Sequence, residues 1–189
     1  MKKSLGARTL TSPTPVWIIG TYDKEGRPNL MTAAWVGICC SQPPCVGVSL
    51  RKATYTYGNI VQRKAFTVNI PAEANIEKSD YIGTVTGKSI DKFSKSKLTA
   101  VRSTIVDAPY VQEFPLVAEC KVIHTIEIGL HTEFVGEIMD VKADSSLLND
   151  RGLPDVAKIK PFLFDPANGA YYGMGAYFGQ AFSAGKSTR

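Results

Sequence analysis

The chain has 189 residues and a formal net charge of +5, with 44% hydrophobic and 21% charged residues. This composition is close to the average of folded proteins, so it excludes a largely disordered or fibrous chain. The length predicts a single domain over residues 1–189. The positive charge suits an anionic partner, but the sequence contains no arginine-rich tract and no nucleic-acid-binding motif. We therefore expect no nucleic-acid partner.

Cysteine spacing and hydropathy indicate whether the chain has a metal site or a membrane segment. Cys39, Cys40, Cys45 and Cys120 form no C-x-x-C pair, so we predict no metal site and interpret all four as small buried hydrophobic residues. No apolar segment follows the basic start of the chain, and no run approaches the roughly 18 apolar residues of a membrane helix. We expect a cytoplasmic protein without a membrane partner.

In chain order, the first half of the sequence predicts mostly strands. Val16–Tyr22 and Asn29–Cys39 flank a segment of turn-forming residues, which predicts a hairpin. Further strands are predicted over Cys45–Leu50 and Ala65–Ile70. The intervening segment, Ala53–Arg63, has apolar residues at roughly helical spacing and predicts a helix, with Thr54 as its N-cap.

The second half begins with a predicted helix over Glu73–Val85 and a polar loop over Thr86–Ser96. Val117–Ile126 and Phe134–Val141 then predict a long antiparallel pair. In the first of these strands Glu119 alternates with apolar neighbours, as expected for a strand with one solvent-facing side. Many short strands with few helices predict a barrel or a sandwich.

Two segments carry the strongest candidate chemistry. Asn29–Trp35 has small side chains at Thr32, Ala33 and Ala34, which let backbone N–H groups approach a flat ligand such as a flavin ring. A tight packing contact explains the same composition. Ser49–Ile60 joins Arg51, Lys52 and several hydroxyls to a helix N-terminus, an arrangement that suits a phosphate. A solvated turn before a capped helix is the alternative there.

Two further segments are weaker candidates. In Ser89–Phe93, Lys92 can add positive charge at a phosphate and Asp91 can orient it, although a solvated loop is the simpler interpretation. His131, beside the Gly129 turn, can donate a proton near neutrality, but a lone histidine at a turn is more often structural. The sequence lacks the motifs of Ser-His-Asp hydrolases, zinc proteases, P-loop proteins and Rossmann folds.

Taken together, these segments resemble the flavin-reductase-like FMN-binding proteins with a split β-barrel, with flavoredoxins as the most similar members. No single segment is specific, so the resemblance depends on their order and spacing. In chain order the matching segments are Pro13–Val16, Gly26–Trp35, Pro43–Pro44, Ser49–Asn59, Phe66–Ile70, Asp91–Phe93 and His131–Glu137.

The resemblance implies a mainly β fold with a few helices, a split β-barrel, and a homodimer with one FMN per subunit near the interface. It also implies the cofactor-binding residues. Those at the flavin ring edge are Thr32, Ala33, Ala34 and Trp35; those at the phosphate and ribityl chain are Ser49, Leu50, Arg51, Lys52 and Thr54. Asn59, Ile60 and Lys92 match other family positions near the pocket, and His131 matches a family histidine that we take as the candidate catalytic residue.

Several functions stay open at this point. The chain can be an FMN-binding redox protein that takes electrons from NAD(P)H, or an FMN electron carrier that has no nicotinamide site and receives electrons from a redox partner protein. A related split barrel that binds another cofactor, such as haem, is a third possibility. A fourth hypothesis, a basic nucleic-acid-binding module, is supported only by the positive net charge.

Overall fold

The structure is a computed structural model that describes residues 1–183. Its strands are β1 (Thr14–Pro15), β2 (Trp17–Tyr22), β3 (Pro28–Ala33), β4 (Val36–Ser41), β5 (Pro44–Arg51), β6 (Ala65–Ile70), β7 (Ala100–Arg102), β8 (Pro109–Val111), β9 (Leu116–Ile128), β10 (His131–Ala143), β11 (Phe162–Asp165) and β12 (Ala170–Gly173). The helices are α1 (Tyr55–Arg63), α2 (Ile76–Thr84), α3 (Lys92–Ser96) and α4 (Val156–Ile159), with 3₁₀ turns at Glu73–Asn75 and Ser145–Leu147. The predicted mainly β class with a few helices is confirmed.

The main sheet curves back on itself. Its seven strands have the order β3-β2-β6-β9-β10-β5-β4, so β3 and β4, which are consecutive in the chain, form its two opposite edges. Only Ala34 and Trp35 connect these edges, and a chain extends at most roughly 3.3–3.6 Å per residue. The edges must therefore come close together, as in a barrel that is open along one seam. Three small strands form a second sheet in the order β1-β11-β12, and β7 pairs with β8.

The main core lies inside the curved sheet and is closed by α1. Its fully or almost fully buried residues come from β2, β3, β5, α1, β6, β9 and β10: Ile19, Ala33, Val46, Val48, Leu50, Ile60, Phe66, Val68, Cys120 and Phe134. Hydrophobic burial of this kind contributes roughly 25 cal/mol per Å² of apolar surface, so it is the main source of the fold's stability. It also holds the ends of β3 and β5 in fixed positions, and the candidate site lies at those ends.

Local patterns predicted most element positions, with two corrections. The predicted strand Asn29–Cys39 is broken after Ala33, because β3 and β4 belong to opposite edges of the sheet. The predicted loop Thr86–Ser96 contains helix α3. Asp91 caps that helix by accepting a hydrogen bond from the Ser94 N–H at 3.1 Å, whereas Lys92 bonds to the Ile82 carbonyl, so neither the solvated loop nor an Asp91–Lys92 contact is found.

Two burial predictions were also wrong. Glu119 is completely buried, because the neighbouring strand β10 supplies Lys142, whose ammonium group donates a hydrogen bond to the Glu119 carboxylate. Cys39 and Cys40 are exposed, because β4 is an edge strand with no neighbour on its outer side. Cys45 and Cys120 are buried as expected.

Candidate functional site

The ends of β3 and β5 meet at a small cavity of about 140 Å³. It gathers side chains from the bend after β3, the end of β5, the N-cap of α1 and the start of β10. Its lining residues are Met31, Thr32, Ala33, Ala34, Trp35, Ser49, Leu50, Arg51, Thr54 and His131. All of these except Met31 are residues that we had predicted for the cofactor or for proton donation, although they come from three separate parts of the sequence.

A larger cavity of about 390 Å³ continues from the first one. Met31, Thr32 and Thr54 line both cavities, so we treat the two as one groove, the β3–α1 groove. The larger cavity adds Lys92 from α3 and falls within the roughly 300–1,000 Å³ that is usual for cofactor pockets. A single open surface thus runs from Trp35 to Lys92.

The backbone at the β3 end of the groove has free donors. β3 pairs only with β2, and the chain bends at Ala34 and Trp35 before β4 begins. The Trp35 carbonyl accepts a hydrogen bond from the Ser49 N–H at 2.9 Å, whereas the N–H groups of Ala34 and Trp35 have no protein acceptor within residues 1–183. Since Ala33 and Ala34 carry only methyl groups, a flat ligand can approach these donors closely.

The β5 end of the groove is electropositive. Helix α1 begins after Thr54, whose hydroxyl oxygen accepts a hydrogen bond from the Tyr57 N–H at 3.3 Å and donates one to the Arg51 carbonyl at 2.9 Å. The first turn of α1 contains no acidic residue, so the partial positive charge of the helix N-terminus is not neutralised there. Arg51 forms no salt bridge in the described part of the chain.

Lys92 is a buried cation beside the larger cavity. Its side chain is almost completely enclosed, and Nζ donates a hydrogen bond to the Ile82 carbonyl at 2.8 Å. Burial lowers the pKa of its ammonium group to about 8, because removal from water disfavours the charged form. Because Ile82 belongs to α2, the hydrogen bond from Lys92 also connects α3 to α2, and the end of α2 lines the far wall of the groove.

Three of the predicted cofactor-binding residues lie outside the groove. Lys52 forms a salt bridge with Glu127 at 2.7 Å and lines neither cavity. Ile60 is fully buried in the main core. Asn59 is also buried, and its amide donates a hydrogen bond to the Thr21 hydroxyl at 3.1 Å. The side chains of Asn59 and Ile60 thus support α1 from the inside.

The groove also has a wall that we had not predicted, formed by the end of α2 and the segment after it. These residues are Ile82, Gly83, Thr84, Val85, Thr86 and Gly87, and they face Ala53, Tyr55 and Thr56 across the larger cavity. Thr84 and Thr86, which precede Gly87, were a usable signal, because their hydroxyls can donate hydrogen bonds to a polar ligand. We had interpreted this segment only as a helix end and a loop.

Neither a metal site nor a membrane helix is present in the part of the chain that the structure covers. Residues 1–183 contain no group of three or more His, Cys, Asp or Glu side chains arranged to hold a metal ion. None of the helices there has the length and apolar character that crossing a membrane requires.

Comparison with known proteins agrees with the fold. Flavoredoxin of Desulfovibrio vulgaris (Miyazaki F) is 57% identical, covers 98% of this chain and 100% of its own, and superposes with a TM-score of 0.94. Flavoredoxin from Methanosarcina acetivorans is 32% identical over 100% of this chain and 98% of its own, with a TM-score of 0.90. An FMN-binding protein from Thermus thermophilus, 20% identical, shares the fold over 95% of this chain and 97% of its own, with a TM-score of 0.79.

These matches confirm the predicted split β-barrel and the resemblance to flavoredoxins. The family model described as "Flavin reductase like domain" matches residues 9–166, which is most of the chain. It spans both edges of the main sheet, the helices α1 to α3 and the whole β3–α1 groove. The chain therefore belongs to the flavin reductase-like family and is a flavin-related redox protein.

Proposed function

We propose that this protein binds FMN in the β3–α1 groove and passes electrons through it. The observation that carries the proposal is the division of the groove into two chemically different ends. One end offers free backbone N–H groups next to small side chains, and the other offers Arg51 and a helix N-terminus. FMN has the same division, with a flat ring at one end and a phosphate at the other.

The ring end of the groove is Thr32–Trp35. The unpaired N–H groups of Ala34 and Trp35 suit the acceptor atoms along a flavin edge. Hydrogen bonds of this type also stabilise negative charge on a reduced ring, so they influence its reduction potential. The Trp35 side chain is 40% exposed and lines the same cavity, where it can cover a ring face.

The phosphate end is Ser49–Thr54 together with the first turn of α1. Arg51 can form two parallel hydrogen bonds with phosphate oxygens, and the helix N-terminus adds partial positive charge. Ser49 adds a hydroxyl at the same cavity, whereas the Thr54 hydroxyl already donates to the Arg51 carbonyl and holds the start of α1 in place. Lys92 adds a third positive group at the wall of the larger cavity. We assign Lys52 only a long-range electrostatic role, because Glu127 already pairs with it.

Bound FMN would supply the chemistry, since its ring takes up and releases two electrons and a proton. The protein side chains bind and orient the cofactor, and none of them needs to act as a nucleophile. His131 lines the cavity beside Trp35, so we propose that its imidazole holds or releases a proton near the ring. The name of the FMN-binding relative from Thermus thermophilus supports the choice of FMN as the flavin.

An absorption spectrum tests the cofactor directly. The purified full-length protein, before and after addition of FMN and gel filtration, should retain a flavin absorption band. Titration of the apoprotein with haemin is the matched control for the haem alternative. A protein that stays colourless after FMN treatment, or that instead develops a Soret band, would contradict the proposal.

The proposal has two forms, which differ in the electron donor. We propose NAD(P)H as the donor; an FMN carrier that receives electrons from a redox partner protein is the second form. Anaerobic mixing of the holoprotein with excess NADH or NADPH separates them. Rapid loss of flavin absorbance with either nucleotide supports the first form. Retention of the band with both nucleotides, followed by bleaching with dithionite, supports the second.

We also propose that the protein is a homodimer. The end of the β9–β10 hairpin exposes Ile126 and Ile128 of β9 and Leu130 of the turn by 47%, 53% and 64%. This apolar cluster lies next to His131 at the groove, because His131 is the Cα partner of Ile128. Exposed apolar clusters of this kind often form subunit contacts. Sedimentation equilibrium should give twice the chain mass, and Leu130→Asp should shift the protein toward the monomer. A wild-type monomer at all concentrations would rule out the homodimer.

A further inference from the structure

The hairpin of β4 and β5 carries two cysteines directly opposite each other, at the end remote from the β3–α1 groove. Cys40 and Cys45 are Cα partners in the antiparallel ladder. Partners of this kind have Cα atoms roughly 4.5–5.5 Å apart, within the 4.4–6.8 Å that disulfides span. Their side chains also project from the same face of the sheet. The backbone therefore places both thiols where a bond between them can form.

Both thiols also form hydrogen bonds to the turn between β4 and β5. Cys40 Sγ donates a hydrogen bond to the Gln42 carbonyl at 3.4 Å, and Cys45 Sγ donates one to the Pro43 carbonyl at 3.4 Å. Cα partners have Cβ atoms roughly 4.5–5.5 Å apart, whereas a disulfide needs about 3.5–4.5 Å. Closing the bond thus requires only a small approach of the strands. β4 can make that approach, because it is an edge strand and is held only by β5 on one side.

We propose that Cys40 and Cys45 are a redox-active dithiol that exchanges with small-molecule disulfides such as oxidised glutathione. Cys40 is exposed and Cys45 is only 2% exposed, so each thiol has a different role in the reaction. Cys40 is the thiol that an external disulfide can reach. Cys45 is the resolving thiol, protected from solvent but adjacent to Cys40.

The exchange is balanced in two steps. The Cys40 thiolate attacks one sulfur of oxidised glutathione, which forms a mixed disulfide and releases one glutathione thiolate. The Cys45 thiolate then attacks Cys40 Sγ, which forms the Cys40–Cys45 bond and releases the second glutathione thiolate. The released thiolates take up the two protons that the cysteines lose. The protein is oxidised by two electrons, and oxidised glutathione is reduced to two molecules of glutathione.

Cys39 does not share this geometry. The ladder between β4 and β5 shifts register between Ile38 and Cys40, so Cys39 has no Cα partner on β5. It is exposed like Cys40 and adjacent in sequence. Cys39 is therefore the matched control, since it has similar access to an oxidant but no Cα partner on β5. None of these three cysteines lines the β3–α1 groove, so the proposal does not depend on FMN binding.

The test counts free thiols in the purified full-length protein after equilibration with oxidised or reduced glutathione. The protein is acid-quenched and unfolded before alkylation, because Cys45 and Cys120 are buried in the folded chain. After reduced glutathione all four cysteines should then be alkylated. In oxidised glutathione the number should fall from four to two, with a mass loss of two hydrogen atoms and no retained glutathione. Cys39→Ser should still lose two thiols to an internal bond. Cys45→Ser should instead stop at the mixed disulfide on Cys40.

The serine variants are needed because one tryptic peptide, between Lys24 and Arg51, contains all three of these cysteines. Cys40→Ser should form no internal bond. If the wild-type protein keeps four free thiols, or retains glutathione on Cys40 without resolving it, the proposal is wrong. It is also wrong if Cys45→Ser forms an internal bond as readily as the wild type, because the bond would then join Cys39 and Cys40.

Discussion

The backbone N–H of Ser49 donates a hydrogen bond to the carbonyl of Trp35 at 2.9 Å. This bond ties the bend that follows β3 to the last part of β5, although the two residues belong to different segments of the sequence. It occupies the Trp35 carbonyl, whereas the neighbouring N–H groups of Ala34 and Trp35 stay available to a ligand. It also holds the β5 end of the groove at a fixed distance from them.

Arg51 and Lys52 should contribute unequally to FMN binding. Arg51→Ala should weaken binding by roughly 1.5–3 kcal/mol, the value of a charge-assisted hydrogen bond. Lys52→Ala should weaken binding much less than Arg51→Ala, because it removes an exposed cation that is already paired with Glu127. Calorimetric titration of each apoprotein with FMN measures both. Equal losses in the two variants would mean that Lys52 turns toward the phosphate when the cofactor binds.

Thr54 should stabilise the protein through its capping hydrogen bond to Tyr57. Thr54→Ala should lower the free energy of unfolding by about 0.5–2 kcal/mol, because an N-terminal amide of α1 loses its acceptor. Thr54→Ser keeps the hydroxyl and should recover most of this loss. Urea unfolding of the apoprotein measures both variants without interference from the cofactor. A serine variant as unstable as the alanine variant would point to methyl packing in place of capping.

Gly20 occupies a position where a larger residue does not fit. A Cβ atom there would lie 2.4 Å from both the Pro109 carbonyl and the Thr67 hydroxyl, which hydrogen-bond to each other at 2.6 Å. Gly20→Ala should cost roughly 1–3 kcal/mol of stability through overpacking. Gly58 in α1 has no heavy atom within 4 Å of a built Cβ, so Gly58→Ala should stabilise by about 0.5–1 kcal/mol. Thermal and urea unfolding compare the pair, and destabilisation by Gly58→Ala would contradict this account.

Lys92 should give the protein a characteristic pH dependence. Its pKa is about 8 in the folded chain against 10.5 in the absence of burial, so between these values the unfolded chain binds a proton that the folded chain has released. Stability therefore gains a contribution as the pH rises through this window, whereas below it the penalty of burying the charge is constant.

Lys92→Met removes this titration. From pH 8 to 10.5 its free energy of unfolding should rise less, or fall more, than that of the wild type. Urea unfolding at several pH values gives the two curves, and taking their difference cancels the other lysines. Parallel curves across the window would show that Lys92 keeps an ordinary pKa.

The sequence by itself determined the elements whose signals are local. The strand Ala65–Ile70 and the Thr54 cap of α1 match their predictions, because strand propensity and a capping hydroxyl act over a few residues. The order of the segments also identified the family, which in turn implied most of the groove. Arg51 and His131 were assigned in this way, and they do line one cavity.

Tertiary structure decided everything that depends on which strands become neighbours. Closure of the sheet breaks the run Asn29–Cys39 at Ala34, because its two halves pair at opposite edges. Pairing across β9 and β10 buries Glu119 against Lys142, which alternation along one strand could not reveal. The ladder of β4 and β5 likewise sets Cys40 opposite Cys45 and leaves Cys39 without a partner. Sequence patterns record which side of a strand a residue occupies, whereas the charge, burial and reactivity of that side depend on distant segments that pack against it.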